Sequence, residues 1–528
     1  MTLLRVENLQ LSINSTQVLR NINCTLESGK ILGIVGESGS GKSMTAYSIM
    51  RLLPRGSVAS GSITLDGSEL GALTEAQMCG IRGNDIGMIF QEPMTALNPV
   101  QTIGDQVAET VRIHRRVSRV QARNIAAETL ERVELPNSEF PLTRYPHELS
   151  GGQRQRVVIA MAIALQPRLL IADEPTTALD VTTQARILSL LKRLVCEDNM
   201  ALILISHDLA VVAQTTDSMV IMRHGDVVDS GPAKNVFNEL KHPYTRQLFE
   251  ASGHVPIRSS LASRQEILLQ VQGVSRDYQT ARKTFFSKPG VFRALDRVSF
   301  DLYRGEKLGL VGESGCGKST LTRAILGLDA CQEGSITLAG ESIKAGQLMP
   351  RPVLRKMQVV FQDPYGSFNP RHKVGRLVSE PFYILDHPPR GKARRSAVAE
   401  VLESVGLQAD DADKYIHEFS GGQRQRIAIA RALITKPQLI ILDEAVSALD
   451  VSIRATILDL LAELSADHDL AYLFISHDLT VVRAVTDRVL IMKDGGILEH
   501  GDTESVFAKP RHRYTQELIA AAPSLSCL

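Results

Sequence analysis

The 528 residues carry a net charge of +1, no tryptophan and only 5% aromatic side chains. That balance excludes a dedicated nucleic-acid binder, which would show a basic face or a set of stacking rings. The length exceeds what one core holds and suits two large α/β units with smaller attached subdomains. No apolar run approaches the roughly 18 residues of a membrane span, and the opening Met1-Thr-Leu-Leu-Arg5 lacks the basic head and apolar centre of a signal peptide, so the expected location is the cytoplasm. Cysteines 24, 79, 196, 316, 331 and 527 are scattered without a Cys-x-x-Cys pair or a nearby histidine at ligand spacing, which predicts reduced, structural thiols.

In chain order, Lys30-Ile-Leu-Gly-Ile-Val35 is a short apolar run that predicts a buried strand. It feeds Gly36-Glu37-Ser38-Gly39-Ser40-Gly41-Lys42-Ser43, and a helical stretch begins near Lys42. The glycines allow backbone angles closed to other residues and let amides approach phosphates, while the helix start favours negative charge. Lys42 would reach the β- and γ-phosphates of ATP, and the Ser43 hydroxyl would bind Mg²⁺. The region after Gln91 has helical spacing. Ser150 then caps a helix whose Gly151, Gly152 and Gln153 expose free amides, a second anion site. Leu169-Leu-Ile-Ala-Asp173 reads as a central parallel strand, ending in Asp173 and Glu174 at the edge where such sheets bind ligands. The first acid is expected to hold Mg²⁺ through water and the second to polarise an attacking water. A further apolar run, Leu202 to Ser206, delivers His207, expected to contact the γ-phosphate and orient water.

The whole series then returns. Gly312-Glu313-Ser314-Gly315-Cys316-Gly317-Lys318-Ser319 repeats the loop, with Cys316 as a small side chain where the first copy has Ser40. Gly334-Ser-Ile-Thr-Leu338 repeats Gly61-Ser-Ile-Thr-Leu65, and Gln362 repeats Gln91. Ser420, Gly421, Gly422 and Gln423 follow, then Asp443 and Glu444 after an apolar run, then His477 after another. The spacing between copies changes only ahead of Ser150 and Ser420, so length differences are confined to the front of each half.

Leu149-Ser-Gly-Gly-Gln153 and Phe419-Ser-Gly-Gly-Gln423 complete a pattern that resembles the ATP-binding cassette (ABC) ATPases over both halves. The resemblance implies two tandem P-loop NTPase domains, each with a parallel-sheet core, an antiparallel β subdomain and a helical subdomain. It places them at 1–252 and 266–528, joined by a linker at 253–265. It also implies two composite sites built head to tail. The Gly36 loop, Gln91, Asp173, Glu174 and His207 would face Ser420 to Gln423. The Gly312 loop, Gln362, Asp443, Glu444 and His477 would face Ser150 to Gln153. In this scheme Mg²⁺ is held by Ser43, Gln91 and Asp173, and by Ser319, Gln362 and Asp443. The Ala178-Leu-Asp180 and Ala448-Leu-Asp450 segments match the loop that crosses between the halves.

Phe90-Gln-Glu-Pro to Asn-Pro99 and Phe361-Gln-Asp-Pro to Asn-Pro370 are similar to the glutamine loops of oligopeptide, dipeptide and nickel importer ATPases. His242-Pro-Tyr-Thr and its echo His512-Arg-Tyr-Thr are similar too, and the fusion resembles the single-chain ATPases of microcin C and glutathione import. Implied partners are two integral membrane permeases and a periplasmic binding protein, with peripheral attachment at the inner membrane and no nucleic acid. Peptides, peptide antibiotics, glutathione, nickel and metal chelates stay open as cargo. A twin-cassette translation factor would need a long charged helical linker, and a sugar-importer ATPase would not be expected to carry these glutamine loops.

The family usually stacks an aromatic on adenine, and Tyr278 fits in the second half, whereas the first half has Ile13; the first site is expected to hold nucleotide less tightly. Glu444-Ala-Val-Ser replaces Glu174-Pro-Thr-Thr and leaves the acid intact. Val398, Val401, Leu402 and Val405 form an apolar stripe read as core, and the basic runs Arg112 to Arg116 and Arg390 to Arg395 as solvated faces. Ser252 to Arg264 is expected to act as a flexible tether, and the insertion Thr280 to Arg293, with Lys283, Phe285, Phe286 and Lys288, to form a solvated hairpin.

Overall fold

The computed structural model describes residues 2–91, 96–177, 179–256, 266–279, 290–344, 349–363, 366–447 and 449–523. In the first half, β1 (Thr2–Ile13), β2 (Thr16–Glu27), β4 (Ser57–Leu65) and β5 (Ser68–Glu69) make a four-stranded antiparallel sheet in the order β2-β1-β4-β5. Alternating burial along β1, with Leu4, Val6, Leu9 and Leu11 inward, seats this sheet on the core.

The core itself is a six-stranded sheet in the order β10-β9-β3-β8-β7-β6. It contains β3 (Ile31–Val35), β6 (Ile86–Ile89), β7 (Leu169–Asp173), β8 (Ala201–Ser206), β9 (Ser218–Arg223) and β10 (Asp226–Pro232). Strands β6, β7, β8, β3 and β9 run parallel, and only β10 is antiparallel. Every residue of β3, β7 and β8 is buried, as expected of strands covered on both faces.

The second half rebuilds the same plan. An antiparallel sheet is ordered β12-β11-β14-β15, from β11 (Ile267–Gln279), β12 (Val291–Tyr303), β14 (Glu333–Leu338) and β15 (Glu341–Ser342). The core sheet, β16-β17-β18-β13-β19-β20, joins β13 (Lys307–Val311), β16 (Met357–Val360), β17 (Leu439–Asp443), β18 (Ala471–Ile475), β19 (Arg488–Lys493) and β20 (Gly496–Asp502).

Between each glutamine and its Ser-Gly-Gly-Gln lies a helical layer. Helices Ile103–His114 and Arg119–Arg132 pack on Gly151–Ile163, and Gly391–Ser404 packs on Gly421–Leu433. Val398, Val401, Leu402 and Val405 are buried in that second layer, so the stripe is core. No described helix is long and apolar enough to cross a membrane.

The expected tether behaves otherwise at its start. His254 Nε2 lies 2.7 Å from Asp459 Oδ1 in the second half, and buried Pro256 joins Leu442, Leu458 and Tyr472 in lining one pocket, so these residues dock rather than float. Residues 257–265, Ala178, Ala448, and 280–289 of the expected hairpin lie outside the described residues.

Candidate functional site

Parallel register sets the site. Val35 pairs with Ser206 and Asp173 with Ile205, so the ends of β3, β8 and β7 lie side by side and deliver the Gly-rich loop, His207 and the acid pair to one edge. Helix Lys42–Met50 starts where the loop ends. Gly39 and Gly41 hold φ of 77° and 102°, and Gly315 and Gly317 hold 84° and 112°, the left-handed region that other residues avoid. Lys42 Nζ donates to the carbonyls of Gly36 and Glu37 at 2.8 and 3.0 Å, and Lys318 Nζ to those of Gly312 and Glu313 at 2.7 and 2.8 Å. Burial pulls the Lys42 ammonium below its ordinary pKa, although Glu174 and Asp450 oppose that. Cys316 is buried, and burial pushes its thiol up, as suits a packing residue.

Ser43 Oγ donates to Asp173 Oδ1 at 3.1 Å, while Asp173 Oδ2 is buried without a partner. An orphaned carboxylate oxygen beside a hydroxyl is a hard-oxygen corner with free lone pairs, which fits Mg²⁺. Burial raises the Asp173 carboxyl, and burial with the neighbouring Glu444 charge raises Asp443 to about 6. Ser319, Gln362, Asp443, Glu444 and His477 share one cleft of about 820 Å³ with Lys318.

Glu174 accepts from Gln91 Nε2 at 3.2 Å and Thr177 Oγ1 at 2.9 Å, with His207 Nδ1 3.2 Å away, all on Oε2. Burial pushes this carboxyl up, but the hydrogen bond and charge of His207, helped by Thr177 and Lys42, outweigh it and hold the group at about 2. His207 is raised in turn: burial lowers it and the Glu174 contact more than compensates. Glu444 has His477 Nδ1 at 3.4 Å, and Ser447 Oγ turns to the Glu444 carbonyl instead of the carboxylate. Both glutamates have positive φ, 48° and 51°, a strained backbone for a side chain of that size.

The halves meet at these loops. Ser38 donates from its N–H and hydroxyl to Asp450 Oδ1 at 2.8 and 2.9 Å. Reciprocally, burial raises Asp180, but bonds from Thr183, Thr182 and the Ser314 N–H keep it low; Thr182 Oγ1 also lies 2.8 Å from Glu313 Oε1. Asp180, from the first half, lines the second-half cleft. Ser150 and Ser420 form capping boxes with Gln153 and Gln423 and are exposed. The structure thus brings the Asp180 and Asp450 segments to the opposite loops, and leaves both Ser-Gly-Gly-Gln segments at their own helix starts. A Cβ on Gly152 would meet Thr183 Cγ2 at 2.4 Å, and one on Gly422 would meet Ile453 Cγ2 at 2.3 Å, so these glycines permit close packing on helices Val181–Asp198 and Val451–His468 of their own halves. Tyr278 is the penultimate residue of β11; its hydroxyl donates to Asp329 at 3.0 Å and the Arg276 guanidinium lies 4.6 Å over its ring, while Ile13 packs partly buried against the first core.

The sequence marks Tyr244 and Tyr514 only as part of a motif shared with importer ATPases, with no part in the site, yet their hydroxyls reach Glu37 and Glu313 of the two loops. The signal was present: of the motif near the end of each half, the tyrosine is kept at the same register where Pro243 becomes Arg513.

Two Gly-rich loops at parallel-strand ends, each with an acid pair and a histidine, define a twin-site P-loop ATPase. The ABC transporter family profile matches residues 19–177 and 295–447, and that of the oligopeptide/dipeptide transporter C-terminal region matches 228–272 and 498–526. Glutathione import ATP-binding protein GsiA of Salmonella choleraesuis (strain SC-B67) is 46% identical over 540 residues, spanning 96% of this chain and 86% of the relative. GsiA of Escherichia coli (strain K12) is 44% identical over 562 residues, spanning 98% and 89%. Among solved structures, cbiO1 from Clostridium perfringens, part of the ABC transporter complex cbiONQ, aligns at 26% identity with a TM-score of 0.41 over 46% of this chain and 92% of its own. The chain belongs to the ABC transporter ATPase family, with the oligopeptide/dipeptide type of C-terminal region in each half, and it binds and hydrolyses ATP.

Proposed function

We propose that the chain is the ATP-driven subunit of an importer for peptides or peptide-like compounds, glutathione among them, acting at the cytoplasmic face of the inner membrane. Its partners are two integral membrane permeases and a periplasmic substrate-binding protein. The cassettes occupy 1–252 and 266–528, with 253–265 between them. The observation that carries this reading is the reciprocal contact of each Gly-rich loop with the opposite half, Ser38 with Asp450 and Thr182 with Glu313, within one fused chain. Similarity to glutathione import proteins along nearly the whole length supports the cargo class.

In this reading the backbone amides of 36–43 and 312–319 cradle the phosphates of ATP, and Lys42 and Lys318 leave their carbonyl partners to reach them. Ser43, Gln91 and Asp173, and Ser319, Gln362 and Asp443, would hold Mg²⁺, which supplies charge neutralisation at the phosphates. Glu174 and Glu444, ionised, polarise the attacking water, and His207 and His477 orient it against the γ-phosphate. Tyr278 stacks on adenine in the second site. Ser150 to Gln153 and Ser420 to Gln423 close over the opposite nucleotide, and that closure switches the permeases.

Reconstituting the chain with its permeases and binding protein in vesicles tests the assignment. Uptake of glutathione or a short peptide that requires ATP and this chain is expected. Uptake of nickel or a metal chelate instead would move the cargo, and failure to assemble with any membrane protein would overturn the importer reading.

A further inference from the structure

Tyr244 sits on helix Pro243–Ser252, buried, with the Arg223 guanidinium 4.7 Å over its ring. The Glu37 N–H donates to its hydroxyl at 3.4 Å, and that hydroxyl donates to Glu37 Oε2 at 3.2 Å. The carbonyl of the same Gly36–Glu37 peptide accepts from Lys42 Nζ at 2.8 Å. One peptide unit is therefore held at one end by the tyrosine and at the other by the lysine that must move to meet phosphate. The second half repeats this: the Glu313 N–H donates to the Tyr514 hydroxyl at 3.1 Å, and the Gly312 carbonyl accepts from Lys318 Nζ at 2.7 Å.

The same helices also cross between halves. Pro243–Ser252 packs on Val451–His468 of the second half, and Arg513–Ala521 packs on Val181–Asp198 of the first. Leu248, Glu37, Asp450 and Val451 line one small cavity, and His254, just past the helix end, contacts Asp459 at 2.7 Å. Since Asp450 itself accepts from Ser38, loop, tyrosine helix, opposite helix and Asp450 form a closed ring of contacts.

We infer that Tyr244 and Tyr514 are positioning residues that fix the peptide on which the loop lysine rests and tie it to the opposite half, so that the spacing of the halves sets nucleotide affinity at each loop. This gives the C-terminal region of each half a role in ATP binding, and it rests on the reading that the loops bind ATP. Loss of the hydroxyl leaves a part-buried N–H without its acceptor and frees the peptide to turn.

The test uses the full chain with Lys318→Ala, so that only the first site is read, and a fluorescent ATP analogue as probe. Tyr244→Phe, which keeps the ring, is expected to raise the dissociation constant and the KM for ATP roughly 3- to 10-fold, with kcat at saturating ATP changed less than about 2-fold. His254→Ala, which removes one tie across the halves and leaves the loop and Tyr244 intact, is expected to raise the same constant. Unchanged affinity in both variants, or a loss that only tracks a fall in melting temperature, would overturn the inference. Absence of ATP binding by the chain with both lysines present would overturn the underlying reading and this inference with it.

Discussion

The two halves share strand order, loop sequence and the placement of their acids, yet their hydrogen bonds differ around each acid. Glu174 has Gln91, Thr177 and His207 on one oxygen, whereas Glu444 has His477 at longer range and loses its hydroxyl donor because Ser447 turns to the main chain. Asp180 binds Thr182 and Thr183 of its own helix as well as the opposite loop. Asp450 makes no side-chain cap, and its Oδ1 accepts from Ser38 instead; Ile453, standing where Thr183 does, also lacks the hydroxyl that donates to Asp180 Oδ2 in the first half. Repeated machinery can therefore be wired differently by single neighbouring residues, which leave the reacting groups untouched.

The largest effect is expected when each acid is removed alone. Glu174→Gln and Glu444→Gln are each expected to lower turnover at their own site by about 100-fold or more while sparing ATP binding, measured by steady-state hydrolysis beside nucleotide titration. Wild-type hydrolysis in either variant would show that its half carries no such base. Next in size is adenine stacking. Tyr278→Ala is expected to weaken ATP at the second site by about 1 to 3 kcal/mol, while Ile13→Ala leaves the first site nearly unchanged. Equal affinities in Lys42→Ala and Lys318→Ala chains, each reporting one site, would erase the expected difference.

A third contrast concerns stability. Asp180→Ala removes a helix cap and is expected to lower unfolding free energy by about 1 kcal/mol. Asp450→Ala caps nothing in its own helix and should lower it less, as thermal melting would reveal. The smallest effect is expected from Thr177→Ala. It frees Glu174 from one donor and lets its carboxyl rise from about 2, which still leaves it ionised at neutral pH. Turnover near pH 7 should therefore change by less than about 3-fold, as expected for one neutral hydrogen bond, and Ser447→Ala should change it less still.

Much of this was legible in the sequence because it is local. The loop octets, the apolar runs that become β3, β7 and β8, the caps at Ser150 and Ser420 and the stripe through Val398 all follow from short-range pattern. What escaped depends on distant segments meeting. Tyr244 touches Glu37 only after separate elements have packed, and although the family resemblance implies that the Asp450 segment crosses between the halves, its partner Ser38 is fixed only by that packing. The docking of His254 and Pro256 escaped for a related reason: Gly, Ser and Pro composition suggests a tether, while contact with Asp459 and the second-half pocket decides the outcome.

If each nucleotide is gripped by one half and covered by the other, ATP must bring the Ser-Gly-Gly-Gln segments toward the opposite loops, and a distance measurement decides this. In a Glu174→Gln, Glu444→Gln chain carrying spin labels at His417 and His224, exposed positions beside the Ser420 segment and the first loop, addition of ATP and Mg²⁺ should shorten the separation, with a matching change for His147 and Asp494. A separation that stays fixed while ATP is demonstrably bound would contradict it.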